Sequence, residues 1–131
     1  GFTDERYNKC KDFITVFGNG KVNINSAKAE VLKAIGFDDS VISQIEQYRA
    51  GQDGELLTDD DLLFESINDI STKLNLSNAQ KAQISELQNR AAITVNPETF
   101  QMNIDTYMLN RPVMKYSLII NKEGIKEWRE Y

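Results

Sequence analysis

The sequence lacks histidine and contains a single cysteine, Cys10, among its 131 residues. Without histidine, the chain cannot assemble a Ser-His-Asp triad, a Cys-His pair or a histidine-based metal site from its own residues. One cysteine excludes an internal disulfide, and no histidine or clear cationic cluster stands near Cys10 to activate its thiol. We therefore expect a non-enzymatic protein with no catalytic residues, no metal ligands and no cofactor.

Long apolar runs are absent as well. No stretch approaches the ~20 apolar residues of a membrane-spanning helix, and no charged start followed by an apolar segment marks a signal peptide. An excess of basic residues is also missing, since the net charge is -5 and the pI about 4.8. The negative charge is concentrated between residues 36 and 70, where ten carboxylates and one arginine, Arg49, give a net charge of -9. This distribution argues against a general polyanion binder, which needs clustered Lys and Arg.

The first positive signal is an aromatic and β-branched run, FITVF, at residues 13–17, which predicts a short strand. The following GNGK, residues 18–21, superficially resembles a phosphate-binding loop. However, Val22 stands where that motif needs Ser or Thr, and Thr15 stands where it needs the first glycine. We interpret the segment as a turn.

Helical signals fill the middle of the chain. Asn25 or Ser26 is predicted to cap a first helix that ends at Gly36, and residues 38–40 to cap a second. Two further starts are expected from capping-box-like pairs, Thr58 with Asp61 and Ser77 with Gln80. The run Asp59, Asp60 and Asp61 lacks the alternating spacing and glycine of a calcium loop, and we interpret it as the solvated first turn of a helix.

The last third alternates between apolar and polar residues, which predicts an antiparallel meander with turns at 110–112 and 121–124. Because three strands alone would be marginally stable, we expect FITVF to join the same sheet and the helices to be inserted between its strands. Aromatic residues of the meander are expected to pack across strands rather than to form a stacking surface for bases or sugars. The pairs we expect are Trp128 with Tyr131 and Tyr107 with Tyr116.

The most informative segment is KVNINSAKAEVL, residues 21–32. Val22 and Ile24 alternate with Asn23 and Asn25 before the helix signal begins. Short asparagine side chains bond readily to nearby backbone groups, so we expect them to fix the path of the chain into the helix rather than to bind a ligand.

VNINSAKAEVLKAIGF, followed by IEQYRAG, resembles the sterile-alpha-motif-like helical region of the general secretion pathway protein K family, the large minor pseudopilins of type II secretion. FITVFGNGK, ITVNPETFQMNI and IKEWREY resemble the flanking strands of that family, so the resemblance covers nearly the whole chain. It implies an α+β fold in which a helical insertion, sterile-alpha-motif-like and similar to a helix-hairpin-helix, lies within a pilin-like antiparallel sheet. The implied domains are 1–20 (lead-in strand), 21–91 (helical domain) and 92–131 (C-terminal strands).

The resemblance also implies a function. The chain would be the periplasmic part of a pseudopilus tip protein whose precursor is anchored in the inner membrane by an N-terminal helix outside this sequence. Its implied partners are the I- and J-type minor pseudopilins, together with secreted cargo or the outer-membrane channel, and no nucleic acid is expected. No residue pattern indicates which side chains form the partner interfaces.

The same NINSA start also resembles helix-hairpin-helix DNA-binding modules, which is the alternative interpretation. Those modules present glycine-flanked backbone amides to a phosphate. Here Gly36 is followed by Phe37, Asp38 and Asp39, so two negative charges stand where the phosphate would dock. This charge placement favours the pseudopilin interpretation.

Overall fold

The computed structural model describes residues 3–11 and 13–131. The chain divides into two compact units, one of residues 1–14 with 20–96 and one of residues 15–19 with 97–131, which we call the helical unit and the sheet unit. Helices and an antiparallel sheet are both present, as the α+β prediction requires. In chain order the elements are α1 (Asp4–Cys10), β1 (Val22–Asn23), α2 (Ala29–Ala34), α3 (Asp39–Arg49), α4 (Ile67–Lys73), α5 (Asn78–Asn89), β2 (Ile93–Thr94), β3 (Thr99–Met108), β4 (Arg111–Asn121) and β5 (Gly124–Glu130).

Two helix starts agree with the local capping signals. The Asp38 carboxylate accepts the Val41 N–H at 2.9 Å and caps α3. At α5, Ser77 and Gln80 bond reciprocally, with the Ser77 N–H donating to the Gln80 side chain at 2.9 Å and the Gln80 N–H donating to the Ser77 hydroxyl at 3.3 Å. Each cap satisfies backbone donors that the first helical turn leaves without an intrahelical partner.

Three other helix starts differ from expectation. Helix α2, the first of the predicted helices, begins only at Ala29. The residue before it, Lys28, makes no side-chain cap, so the predicted Asn25 or Ser26 cap is wrong. The Thr58 start is also wrong, because residues 58–64 form a bend, a turn and irregular chain, and α4 begins behind Ser66. Helix α1, capped by Thr3, was not predicted.

The helical unit encloses a continuous apolar core. The parallel pair β1–β2 closes it, with Val22 opposite Ile93 and backbone hydrogen bonds from Val22 N–H to Ala92 C=O and from Ile24 N–H to Thr94 C=O. Ile93–Thr94 therefore belongs to the helical unit and not to the C-terminal sheet in which we expected it. The buried core residues are Ile24, Leu32, Phe37, Val41, Ile42, Ile45, Phe64, Ile70, Leu74, Leu76, Ile84, Leu87, Ile93 and Val95.

The sheet unit is built on the predicted meander, in the order β3-β4-β5. The expected fourth strand is not formed, because residues 13–17 are turn, bend and irregular chain in the structure. Residues 15–19 nevertheless group with the sheet unit. Across the described residues, no helix has the length and apolar character needed to cross a bilayer.

Candidate interaction surfaces

Asn25 joins three segments of the helical unit. Its side-chain amide donates to the carbonyls of Phe64 at 2.9 Å and Val95 at 3.0 Å, and its carbonyl oxygen accepts the Phe64 N–H at 2.9 Å. The Asn25 N–H in turn donates to the Asn23 side chain at 3.1 Å. The asparagines therefore bond to the backbone as expected. Asn25, however, ties segments 39 and 70 residues away rather than capping α2.

The acidic residues before α4 organise a loop. The Asp60 carboxylate accepts the Gln52 N–H at 2.6 Å and the Asp53 N–H at 3.1 Å, and the Thr58 hydroxyl donates to it at 2.8 Å. These bonds, the Thr58 hydroxyl first, lower the pKa of Asp60 because they favour its charged form. Gly51, at a φ of 62°, packs so closely on the Asp60 backbone that no side chain would fit there.

Asp61 explains why no helix starts at Thr58. Its carboxylate accepts the Leu57 N–H at 2.8 Å, while Leu57 has a φ of 70°. The Thr58 hydroxyl likewise donates to the Asp60 and Asp61 carboxylates instead of acting as the acceptor that a capping box requires. The three consecutive carboxylates are thus a loop rather than the helix start we predicted. Within residues 3–11 and 13–131, no group of three or more His, Cys, Asp or Glu side chains is arranged to hold a metal ion.

The turn between α2 and α3 is occupied by protein groups. Phe37 is buried, the Asp38 carboxylate fills the start of α3, and Asp39 forms a 2.7 Å ion pair with Lys33. A phosphate docking on these amides would displace or meet the Asp38 carboxylate, whose pKa is lowered chiefly by the Val41 N–H. This geometry weighs against the DNA-binding alternative.

Two other candidate groups are accounted for by local structure. Cys10 is half-buried at the end of α1, and its thiol donates to the Tyr7 carbonyl at 3.6 Å. The GNGK segment bends through Gly18 and Gly20, both at positive φ, and no helix begins until Ala29. A phosphate loop leads directly into a helix, so the turn interpretation agrees with this geometry.

The sheet has one apolar face, which we call the apolar sheet face. Residues directly opposite each other in an antiparallel pair share a face, so the register places Met102, Leu118 and Trp128 side by side. Leu118 is buried, but Phe100, Met102, Ile104, Ile125 and Trp128 stay between 37% and 57% exposed. The unit, all of whose residues are described, contains no helix that could cover this face. The members are Phe100, Met102, Ile104, Met114, Tyr116, Leu118, Ile120, Ile125 and Trp128.

The opposite face is polar apart from Ile119, which lies opposite Gln101. The Gln101 amide donates to the Ser117 hydroxyl and to the Asn103 side chain, each at 3.2 Å, and Lys115 lies 3.6 Å from Asp105. Because these groups satisfy one another and face water, this side of the sheet needs no further cover. The contrast between the two faces marks the apolar sheet face as the one suited to contact another protein surface.

Aromatic packing on the apolar sheet face differs in detail from the prediction. Tyr116 and Trp128 contact each other edge to face, with ring centroids 5.4 Å apart and an interplanar angle of 65°. Cross-strand packing is therefore present, but between one member of each expected pair. Tyr107 lies opposite Pro112 and Tyr116 lies opposite Ile104, so these two tyrosines do not pair across the strands.

The two hairpin turns of the sheet also differ. The β3–β4 turn consists of Leu109 and Asn110, at φ values of 49° and 61°, the signature of a type I′ turn. The β4–β5 turn consists of Lys122 and Glu123, and only the following Gly124 has a positive φ. Asparagine tolerates the left-handed region, whereas leucine there costs roughly 1 kcal/mol or more. Leu109 is nonetheless 92% exposed.

Comparison of the chain with family models, with curated proteins and with solved structures gave no match.

Proposed function

We propose that the chain is a structural minor pseudopilin of the general secretion pathway protein K type, acting at the tip of a type II secretion pseudopilus in the periplasm. In this role it works by binding rather than by turnover, and it assembles with the I- and J-type minor pseudopilins to support protein export. The apolar sheet face carries the proposal. Subunits that assemble permanently expose such surface until their neighbours cover it.

The charge distribution supports the same kind of role. Residues 36–70 carry ten carboxylates, and three of them, Asp53, Asp60 and Asp61, accept backbone N–H groups within one loop. A fixed acidic surface favours a partner with basic residues and steers its approach. Association should therefore weaken as salt is raised.

The test mixes this chain with soluble I- and J-type pseudopilin domains and measures co-elution and molar mass by size-exclusion chromatography with light scattering. Wild-type protein is expected to form a stable complex. Met102→Asp, which places a charge at the centre of the apolar sheet face, is expected to weaken that complex at least about tenfold because a buried charge without a partner is costly. Absence of a wild-type complex would contradict the proposal.

Asn103→Asp is the matched control. It adds the same charge at the neighbouring position of the same strand, on the polar face, and it keeps the oxygen that accepts from Gln101. We expect this variant to bind as wild type does. Equal weakening by both variants would place the contact elsewhere than on the apolar sheet face.

A further inference from the structure

The tip of the β3–β4 hairpin has an unusual composition for a turn in water. Its two central residues have left-handed backbones, which Asn-Gly would occupy without strain. Leucine stands at the first position, 92% exposed, and Met108 and Tyr107 beside it are 68% and 65% exposed. Val113, on the returning strand, is 53% exposed. The tip is thus a cluster of exposed apolar side chains at the end of the β3–β4 hairpin.

The β4–β5 turn of the same sheet shows that the chain can build a polar tip. There Lys122 and Glu123 occupy the turn, Gly124 takes the positive φ, and the Glu123 N–H donates to the Asn121 side chain at 2.9 Å. Hairpin geometry alone therefore does not require apolar residues at a tip. The chain therefore places apolar residues at one hairpin tip of the sheet and polar residues at the other.

From this contrast we infer that Leu109 is an anchor residue that inserts into an apolar pocket of a partner protein, with Met108 and Tyr107 packing on the rim of that pocket. The inference rests on the proposed function and places one of its partner contacts at the β3–β4 tip. A type I′ turn fixes the direction of the Leu109 Cα–Cβ bond relative to the sheet. A fixed direction is useful only against a recipient of fixed shape, which a protein pocket has and a fluid lipid surface lacks.

The charge of Arg111 indicates a second property of the partner surface. Arg111 follows the tip directly, is exposed, and forms no salt bridge within the part of the chain that the structure describes. A guanidinium beside an apolar anchor is suited to a carboxylate at the edge of the pocket. The partner surface is therefore an apolar pocket with at least one acidic residue on its rim.

The experiment compares wild type, Leu109→Asn and Leu109→Met by isothermal titration against the same I- and J-type domains. Asparagine removes the apolar side chain but suits the left-handed backbone. We therefore expect at least about tenfold weaker binding together with an unchanged or higher melting temperature. Methionine keeps the apolar volume, so binding within about threefold of wild type is expected. Arg111→Gln is expected to weaken binding and to reduce its salt dependence.

The outcomes separate the inference from the proposed function. If wild type binds and Leu109→Asn binds equally well, the inference is overturned and the proposed function stands. If wild type binds neither domain, both fall. Co-sedimentation with phosphatidylethanolamine–phosphatidylglycerol vesicles tests the lipid alternative, and Leu109-dependent vesicle binding without Leu109-dependent protein binding would overturn the inference. If Leu109→Asn lowers the melting temperature, Met108→Ser tests the same contact without changing the turn. Wild-type affinity for Met108→Ser would then contradict the inference.

Discussion

Among the described residues of the helical unit, fourteen buried apolar side chains share one core, whereas in the sheet unit Leu118 is the one buried apolar residue of its completely described strands. Both units have the apolar periodicity that their secondary structure requires. The helical unit buries most of its helix-face apolar residues, although Leu57 and Leu63 in its acidic loop stay exposed, and the sheet unit leaves most of its apolar face accessible. The difference agrees with the proposal that the sheet unit contacts a partner while the helical unit is stabilised by its own core, and three predictions test it.

The largest expected effect is in the helical core. Phe64 is 1% exposed and stacks on Tyr48 with ring centroids 4.4 Å apart. Phe64→Ala should therefore lower the free energy of unfolding by about 3–5 kcal/mol, through lost burial and a cavity. Met102→Ala on the apolar sheet face should change it by about 0.5 kcal/mol or less because that side chain is already partly in water. Urea denaturation monitored by circular dichroism measures both free energies of unfolding. Similar losses for the two variants would contradict the difference in packing between the two units.

An intermediate effect is expected at Asn25. Asn25→Ala leaves the Phe64 N–H and two carbonyls without their partner, so a loss of about 2–4 kcal/mol is expected. Ser26→Ala serves as the control, since Ser26 is exposed and α2 has no side-chain cap. It should leave the unfolding midpoint where it is. A large loss for Ser26 with none for Asn25 would restore the capping role that the structure does not support.

The smallest effect concerns acid stability. Asp38, Asp60 and Asp69 of the helical unit have pKa values below their ordinary value of 3.8, because backbone N–H groups and hydroxyls bond to the charged form. A lowered folded-state pKa gives stability that is fully present above pH 3.8 and is lost as the pH falls through the folded-state pKa. The helical circular dichroism signal should therefore lose thermal stability below about pH 4.

Asp60→Asn is the matched variant for the pH experiment. It keeps an oxygen acceptor for the backbone N–H groups but does not titrate, so its melting temperature should depend less steeply on pH in that range. Trp128, the single tryptophan, reports on the sheet unit through its fluorescence. Identical pH profiles for variant and wild type would show that the Asp60 bonds do not contribute.

Local signals in the sequence were enough for the elements whose causes are local. The caps of α3 and α5, and the turn within 121–124, follow from residues within four positions of each other. The other turn, predicted at 110–112, lies instead at Leu109–Asn110, because Arg111 and Pro112 pair in β4. The same rule failed at Thr58, where a Thr-x-x-Asp pattern is present. There the carboxylates bond backward to Gln52, Asp53 and Leu57, and the true start follows at Ser66, whose N–H donates to Asp69 at 3.2 Å.

Distant causes were not visible in the sequence. The Asn25 contacts span 39 and 70 residues, and no spacing rule predicts them. The strand prediction for residues 13–17 rested on side-chain type alone, and strand propensity depends on having a neighbour to pair with. The start of α1, in contrast, did have a local signal: Thr3 precedes Asp4 and Glu5, a cap followed by acids in the first turn.

The β1–β2 pair has a mechanical consequence. Its strands are parallel, so the flanking chain leaves from the amino end of one strand and the carboxyl end of the other. Tension applied along the chain at residues 21 and 96 would pull the two strands past each other. The Val22–Ala92, Ile24–Thr94 and Asn25–Val95 hydrogen bonds would then be strained together rather than broken one by one. We expect the helical unit to resist pulling forces that would peel the three-stranded hairpin sheet apart strand by strand.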